Sequence, residues 1–160
     1  MRSDHLRSQF DIVLSLTTVF LIIITDRLTK IYFSKVLSLG ESLPLIRNVL
    51  HMTLVHNTGI AFGLFRDKGV VFIIIPIIAA ILLIFNIYYY KNHKILSRTY
   101  IVAFSLILGG AIGNLIDRIF FGYVIDFIDL RIWPVFNIAD SAITIGALVI
   151  LIKCIPLSAK

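Results

Sequence analysis

Four long apolar stretches dominate this 160-residue chain, and each approaches the length of a membrane-spanning helix. A helix needs about 20 mostly apolar residues to cross a hydrocarbon core of about 30 Å. The stretches predict spans at about 12–28, 70–90, 99–116 and 138–155. Hydrophobic residues make up 59% of the chain and charged residues 15%, and a soluble or disordered chain of this size does not have that composition. We therefore expect an all-α membrane protein whose residues 1–160 form one integral membrane domain.

The first stretch could also be a cleavable signal peptide, because it is short and follows Arg2 and Arg7. No small-x-small cleavage site comes after it; the chain continues with DRLTK at 26–30. We therefore expect a retained anchor whose helix runs past Asp26. Asp26 and Lys30 then lie four residues apart on one face of that helix.

The distribution of basic residues predicts the orientation in the membrane. Four crossings place both termini on one side, and the shorter segments there carry seven of the 15 basic residues. Their higher density predicts cytoplasmic termini. On the other side, a loop at about 37–68 is expected to hold a small β element on the membrane surface, because residues 48–56 roughly alternate and are rich in strand formers.

Acidic residues are scarce, and five of the nine cluster at the predicted outer ends of spans or in the loop between the third and fourth spans. An ionisable group near hydrocarbon is costly and usually functional. Asp140 falls in the first turn of the fourth span, where free N–H groups and the helix dipole favour a carboxylate. Asn137 precedes it by three residues and is the predicted N-cap. The five acids are Asp26, Asp117, Asp126, Asp129 and Asp140.

Asp126 is expected to begin a loop, 126–134, that is long enough to fold back and bring its carboxylate beside Asp140. Two carboxylates in contact share one proton. An aspartic peptidase needs such a pair to activate water and to protonate the scissile carbonyl. A small transporter could use the same two acids as a proton or cation relay, and their spacing does not choose between these functions.

Other chemistries fit the sequence less well. A metal-dependent lipid phosphotransferase is suggested by Gly122, Asp126 and Asp129, but the front half of that motif is missing. His51 and His56 lack zinc-site spacing. The basic residues lie on both sides of the membrane, which argues against a nucleic-acid partner.

Two further features lie within the third predicted span and directly after it. Asp117 and Arg118 are adjacent and cannot project together, so each is expected to find another partner and hold the following loop. Gly109 and Gly113 form a small-xxx-small stripe, which predicts close helix packing.

The sequence resembles the bacterial lipoprotein signal peptidases (signal peptidase II), which are aspartic peptidases of the cell membrane. Four blocks carry the resemblance, in the family's order and over nearly the whole chain: DRLTK at 26–30, NTGIAF at 57–62, GGAIGNLIDR at 109–118 running into GYVIDF at 122–127, and FNIAD at 136–140. Arg27 departs from the family, in which glutamine is common at this place, and this departure leaves the other assignments unchanged.

The resemblance implies a fold of four membrane helices with a small extracytoplasmic β-cradle and lid. It implies removal of the signal peptide from diacylglyceryl-modified prolipoproteins by hydrolysis before the lipidated cysteine. The protein is then expected to be surrounded by membrane lipids and to need no cofactor or metal. It is expected to be a monomer in the inner membrane, with its active site at the outer face of that membrane. The catalytic pair falls on Asp126 and Asp140, and the supporting residues fall on Asp26, Lys30, Asn57, Gly59, Asn114, Arg118 and Asn137.

Overall fold

The computed structural model describes residues 2–59, 74, 78, 81, 82, 85 and 98–154. Within them the elements follow in the order α1 (Arg2–Val36), β1 (Ser42–Ile46), β2 (Leu50–Asn57), α2 (Arg98–Phe121), β3 (Val124–Asp129) and α3 (Ile138–Cys154). The predicted second span, 70–90, and the end of the outer loop, 60–68, lie outside the described residues, except for helical positions at 74, 78, 81, 82 and 85.

Helices α1 and α2 extend beyond the predicted spans, whereas α3 nearly coincides with its own. Neither proline nor glycine occurs before Gly40, so α1 continues from the predicted 12–28 to cover Arg2–Val36. The predicted third span, 99–116, becomes α2 over Arg98–Phe121, and the fourth, 138–155, becomes α3 over Ile138–Cys154. Among the described residues, Gln9–Val36 and Arg98–Phe121 are long and apolar enough to cross a membrane. In the most apolar window of Gln9–Val36, only 11% is buried. The apolar side chains of this helix therefore face outward, as lipid contact requires.

The three strands form one antiparallel sheet in the order β1-β2-β3. β1 and β2 make a hairpin whose turn places Asn48 at φ 62°, a left-handed conformation that asparagine tolerates. This hairpin confirms the predicted β element. The expected loop at 126–134 is wrong in its first part, because Val124–Asp129 forms β3 and pairs with β2. Five of the six β3 residues are buried. Burial on both faces removes the polar–apolar alternation that would have marked this strand.

Glycines on α2 let the three helices approach closely, which confirms the predicted packing stripe. A Cβ on Gly109 would lie 3.0 Å from Ile22 Cβ on α1, and one on Gly113 would lie 2.9 Å from the Asp26 carboxylate. A Cβ on Gly110 would collide with the carbonyl oxygen of Ala139 on α3. α2 is therefore in backbone-level contact with α1 on one side and with the start of α3 on the other.

The side chains of β3 alternate between two environments. Ile125 packs with Leu37 and Leu54 in the apolar cluster beneath the sheet, and the Phe127 ring stacks on Phe33 of α1 with centroids 4.5 Å apart. Asp126 lies between these two residues and points to the opposite face. The strand thereby presents the Asp126 carboxylate to the polar ends of α2 and α3.

Candidate active site

The Asp126 carboxylate is almost fully buried, with 1% of the residue exposed. Its Oδ1 accepts a hydrogen bond from Asn137 Nδ2 at 2.7 Å, and its Oδ2 accepts one from Asn57 Nδ2 at 2.9 Å. The Asn57 amide is itself fixed, because its Oδ1 accepts the backbone N–H of Gly59 at 3.0 Å. Both oxygens of Asp126 are therefore held by amide groups whose orientation is set by neighbouring structure.

The Asp140 carboxylate belongs to the N-terminus of α3. Asn137 Oδ1 accepts the Asp140 N–H at 2.8 Å, and Asp140 Oδ2 accepts the Asn137 N–H at 3.3 Å, which together make a capping box. The predicted N-cap is confirmed. Asp140 Oδ1 accepts a further hydrogen bond from Asn114 Nδ2 on α2 at 2.7 Å. Donors from the helix terminus and from α2 thus converge on this carboxylate.

Asn137 connects the two carboxylates, which we call the aspartate pair (Asp126 and Asp140). Its side chain is completely buried. The Nδ2 group contacts Asp126 Oδ1 at 2.7 Å, Asn114 Oδ1 at 3.0 Å and the Ile125 carbonyl oxygen at 3.2 Å, while the backbone N–H contacts Asp140. Because one rigid residue contacts both acids, the structure places the aspartate pair in a single polar network.

The surroundings change the acidity of Asp126. Burial, followed by the negative charge of Asp140, raises the pKa of Asp126 to about 7. The hydrogen bonds from Asn57 and Asn137 and the charge of Lys30 act in the opposite direction, and they offset only part of this rise. A carboxyl group with this pKa is half protonated at about pH 7 and mostly protonated below it.

Lys30 lies beneath the aspartate pair as a completely buried ammonium group. Its Nζ contacts Asp26 Oδ2 at 2.7 Å, Asp117 Oδ2 at 2.8 Å and Asn114 Oδ1 at 3.0 Å. The three partners match the three protons of an ammonium group. Since Asn114 also binds Asp140, Lys30 is one hydrogen-bonded residue away from the aspartate pair.

Asp117 does hold the following segment, as expected, and it does so through more partners than the sequence indicated. Its Oδ2 accepts the backbone N–H of Ile125 at 3.1 Å, and its Oδ1 forms a 2.6 Å ion pair with Arg27 Nη2. Asp117 and Arg27 are absent from the predicted site residues. The sequence signal available for Asp117 was an acid at the end of the third predicted span, next to the predicted site residue Arg118. Nothing in the sequence links Arg27 to a partner 90 positions away.

Arg118 connects the Gly59 segment to α2. Its Nη2 donates to the Gly59 carbonyl oxygen at 3.4 Å and its Nη1 donates to the Asn114 carbonyl oxygen at 3.3 Å. Its guanidinium is close enough to act electrostatically on both members of the aspartate pair. All the predicted site residues therefore lie in one connected network: Asp26, Lys30, Asn57, Gly59, Asn114, Arg118, Asp126, Asn137 and Asp140.

A cavity of about 830 Å³ lies on the other face of β3, between the sheet and the end of α1. Ile125 and Lys35 line it, and neither member of the aspartate pair does. The two histidines of β2 have separate contacts, since His51 binds the Ser42 hydroxyl and His56 stacks on Tyr123. In the described part of the chain, no three His, Cys, Asp or Glu residues are grouped so that they could hold a metal ion.

Comparison with known proteins identifies relatives of this chain. The family model for signal peptidase (SPase) II matches residues 18–156. A lipoprotein signal peptidase from Halothermothrix orenii is 43% identical over 134 residues, which are 84% of this chain and 90% of the relative. Another, from Syntrophomonas wolfei, is 45% identical over 132 residues, or 82% of this chain and 86% of the relative.

Two solved structures of bacterial membrane enzymes, both obtained by the in meso method, are similar to the chain. One superposes with a TM-score of 0.76 at 34% identity and covers 91% of this chain and 93% of its own. The other superposes with a TM-score of 0.75 at 36% identity and covers 90% and 94%. Together with the match over 18–156, these similarities show that the chain belongs to the signal peptidase II family.

Proposed function

We propose that this protein is a membrane aspartic endopeptidase that removes signal peptides from diacylglyceryl-modified prolipoproteins. It hydrolyses the peptide bond before the lipidated cysteine. Family membership supports the cleavage of prolipoprotein signal peptides. The observation that carries the aspartic mechanism is the contact of one buried amide residue, Asn137, with the carboxylates of both Asp126 and Asp140.

In this mechanism the aspartate pair shares one proton. Asp140 is the ionised member, because it lies in the first turn of α3, where free backbone N–H groups and the helix dipole favour a carboxylate. Asp126 is the protonated member, which its raised pKa of about 7 supports. Asp140 takes a proton from water as the water attacks the scissile carbonyl, and Asp126 donates its proton to the carbonyl oxygen. The roles are exchanged when the tetrahedral intermediate collapses and the amine departs.

The proposed site lies where a lipid-bearing substrate can reach it. The outward-facing apolar side chains of α1 support lipid contact along Gln9–Val36, and the aspartate pair is level with the last third of that helix, where Asp26 binds Ala139. We place four spans in the bacterial inner membrane, with cytoplasmic termini and the aspartate pair at the outer face. The protein acts as a monomer and requires no cofactor or metal.

Cleavage assays on two precursors test this function. Purified protein in detergent is given one prolipoprotein in its diacylglyceryl-modified form and in its unmodified form, each with and without a divalent-metal chelator. We expect cleavage of the modified precursor alone, before the modified cysteine, at a rate that chelator leaves unchanged. Mass spectrometry of the products identifies the bond that is cut.

The same assay separates the alternative functions. A chelator-sensitive reaction would favour the lipid phosphotransferase, and no cleavage combined with proton flux in proteoliposomes would favour the transporter. Equal cleavage of both precursors would contradict the proposed substrate class, although the protein would still be a peptidase. Each of these results would overturn the proposal in its present form.

Activity is expected to fall on the alkaline side of neutrality. A raised carboxyl pKa means that Asp126 holds its proton below about pH 7 and loses it above, so kcat/KM should decline as the pH rises through this value. The profile is measured from about pH 5 to about pH 9, and the slope of the alkaline limb should approach about tenfold per pH unit. Thermal unfolding at each pH controls for loss of structure. A flat profile from about pH 6 to about pH 9 would contradict the protonated role of Asp126.

A further inference from the structure

Each member of the aspartate pair follows a residue whose backbone is bound to a buried carboxylate. Ala139, which precedes Asp140, donates its N–H to Asp26 Oδ1 at 3.0 Å. Ile125, which precedes Asp126, donates its N–H to Asp117 Oδ2 at 3.1 Å. The backbones of α3 and β3 are therefore anchored in the same manner, one residue before the acid that each of them carries.

A single ammonium group joins the two anchors. Lys30 Nζ lies 2.7 Å from Asp26 Oδ2 and 2.8 Å from Asp117 Oδ2. Asp26, Lys30 and Asp117 are each no more than 1% exposed, and buried charge pairs are screened much less than surface pairs. A continuous series of short contacts thus runs from the β3 backbone through these three side chains to the α3 backbone.

Arg27 completes the charge balance of this group, which we call the buried charge cluster (Asp26, Arg27, Lys30 and Asp117). Its Nη2 contacts Asp117 Oδ1 at 2.6 Å, and its guanidinium lies 5.5 Å from the centre of the Phe121 ring. The cluster then contains two carboxylates and two cations. Without Arg27, two buried carboxylates would depend on one ammonium group, and Asp117 would lose the partner of its Oδ1.

We propose that Asp117 and Arg27 are positioning residues that set the separation of the two carboxylates of the aspartate pair. Asp117 anchors the backbone of β3 as Asp26 anchors that of α3, and the ion pair with Arg27 orients the Asp117 carboxylate. No hydrogen bond or ion pair between Arg27 and either member of the pair occurs in the described part of the chain, so its effect passes through Asp117 and Ile125. This inference rests on the proposed function, because it concerns the same pair.

A change in carboxylate separation has a measurable signature. Repulsion between the two acids drives their apparent pKa values apart, and the repulsion weakens with distance. A looser pair should therefore bring the acidic and alkaline limbs of the pH profile closer together. Loss of a positive charge alone would move both limbs upward together. The other charged groups that face the pair, Lys30 on α1 and Arg118 on α2, are unchanged in this comparison.

Arg27→Met tests the proposal. We expect kcat to fall by about 10-fold to 100-fold, with KM nearly unchanged and the two limbs of the kcat/KM profile closer together, because small displacements of reacting groups have effects of this size. Arg27→Lys keeps a cation beside Asp117 and should restore most of kcat and the limb separation. If Arg27→Met does not purify as folded protein, Arg27→Ala is measured instead, with the same convergence expected.

Arg98→Met is the matched control. Arg98 and Asp11 form a second Arg–Asp ion pair between the same two helices, at 3.2 Å, at the ends remote from the aspartate pair. Its loss should leave kcat and both limbs unchanged. An unaltered limb separation in Arg27→Met, a parallel shift of both limbs, or equal effects in Arg27→Met and Arg98→Met would overturn the proposal. Failure of the aspartic mechanism itself is distinguishable, because Asp126→Asn and Asp140→Asn would then retain cleavage.

Discussion

Asp126→Asn and Asp140→Asn should each reduce cleavage of a lipidated precursor by about 1,000-fold or more, while the protein still inserts in the membrane. An amide cannot take a proton from water and cannot share one with the remaining acid. Because the two carboxyl groups act as a unit, the double variant should be little worse than either single variant. Initial rates with purified protein, together with membrane fractionation, measure both parts of the prediction.

The folded structure should tolerate these substitutions. Both Asp126 oxygens accept hydrogen bonds from amide groups, so an asparagine there leaves one amide facing Asn57 or Asn137 as a mismatched donor. Such a mismatch costs about 1–3 kcal/mol. Burial of the Asp126 carboxylate is itself unfavourable, as its raised pKa indicates, and the substitution removes that penalty. Loss of activity should therefore be far larger than loss of stability.

Asp129→Asn is a control on the same strand. Asp129 lies three residues further along β3 and binds Thr53 and Arg131, and it has no hydrogen bond to either member of the aspartate pair among the described residues. Activity should stay within about threefold of the unmodified protein, as is usual for a substitution outside the reacting groups. If Asp126→Asn and Asp140→Asn both cleave at a rate similar to Asp129→Asn, the aspartic mechanism is wrong.

Lys30→Met should produce the largest loss of stability. Methionine fills similar space and removes the ammonium group that contacts Asp26, Asp117 and Asn114. Removal of one partner from a buried ion pair destabilises a protein by about 3–5 kcal/mol, because an uncompensated buried charge remains. Thermal unfolding in detergent should show a lower Tm, and cleavage should decline as well because both backbone anchors lose their common partner.

Two further variants examine the cause of that loss. Lys35→Met changes an exposed lysine on the same helix and should leave the Tm nearly unchanged. Asp26→Asn combined with Lys30→Met removes one of the unpaired carboxylates and should recover part of the lost stability. A Tm for Lys30→Met equal to that of the unmodified protein would show that the buried charge cluster does not stabilise the fold.

Hydropathy located the described helices well and their ends less well. In hydrocarbon every backbone polar group must be bonded within its own segment, so an apolar stretch of sufficient length strongly predicts a helix. The end of α1 depends on something else. Asp26 and Lys30 interrupt the apolar run, and α1 nevertheless continues to Val36 because both charges are buried against α2 and α3. The sequence around them contains no sign of those partners.

The candidate site shows the same division between features that local sequence predicts and features that depend on contacts between elements. The sequence identified Asp126 and Asp140 as unusual acids near hydrocarbon, and the resemblance to a known family supplied the neighbouring polar residues. Local sequence also predicted Asn137 as the N-cap of α3, because an N-cap side chain binds a backbone N–H only three residues further along the chain. Arg27 was overlooked, since its contact with Asp117 joins two helices that are adjacent only in the folded chain.

By itself, the sequence determined that this chain is an apolar, helical protein with a few acids gathered at the ends of its helices. Those properties depend on composition and on spacings within one element, which the chain carries before it folds. Only the tertiary structure decided that Val124–Asp129 is a strand, that Asn137 contacts both acids, and that Lys30 links Asp26 to Asp117. The contacts of Asn137 with Asp126 and of Lys30 with Asp117 join different elements of the chain, and their geometry follows from the close packing of α1, α2 and α3.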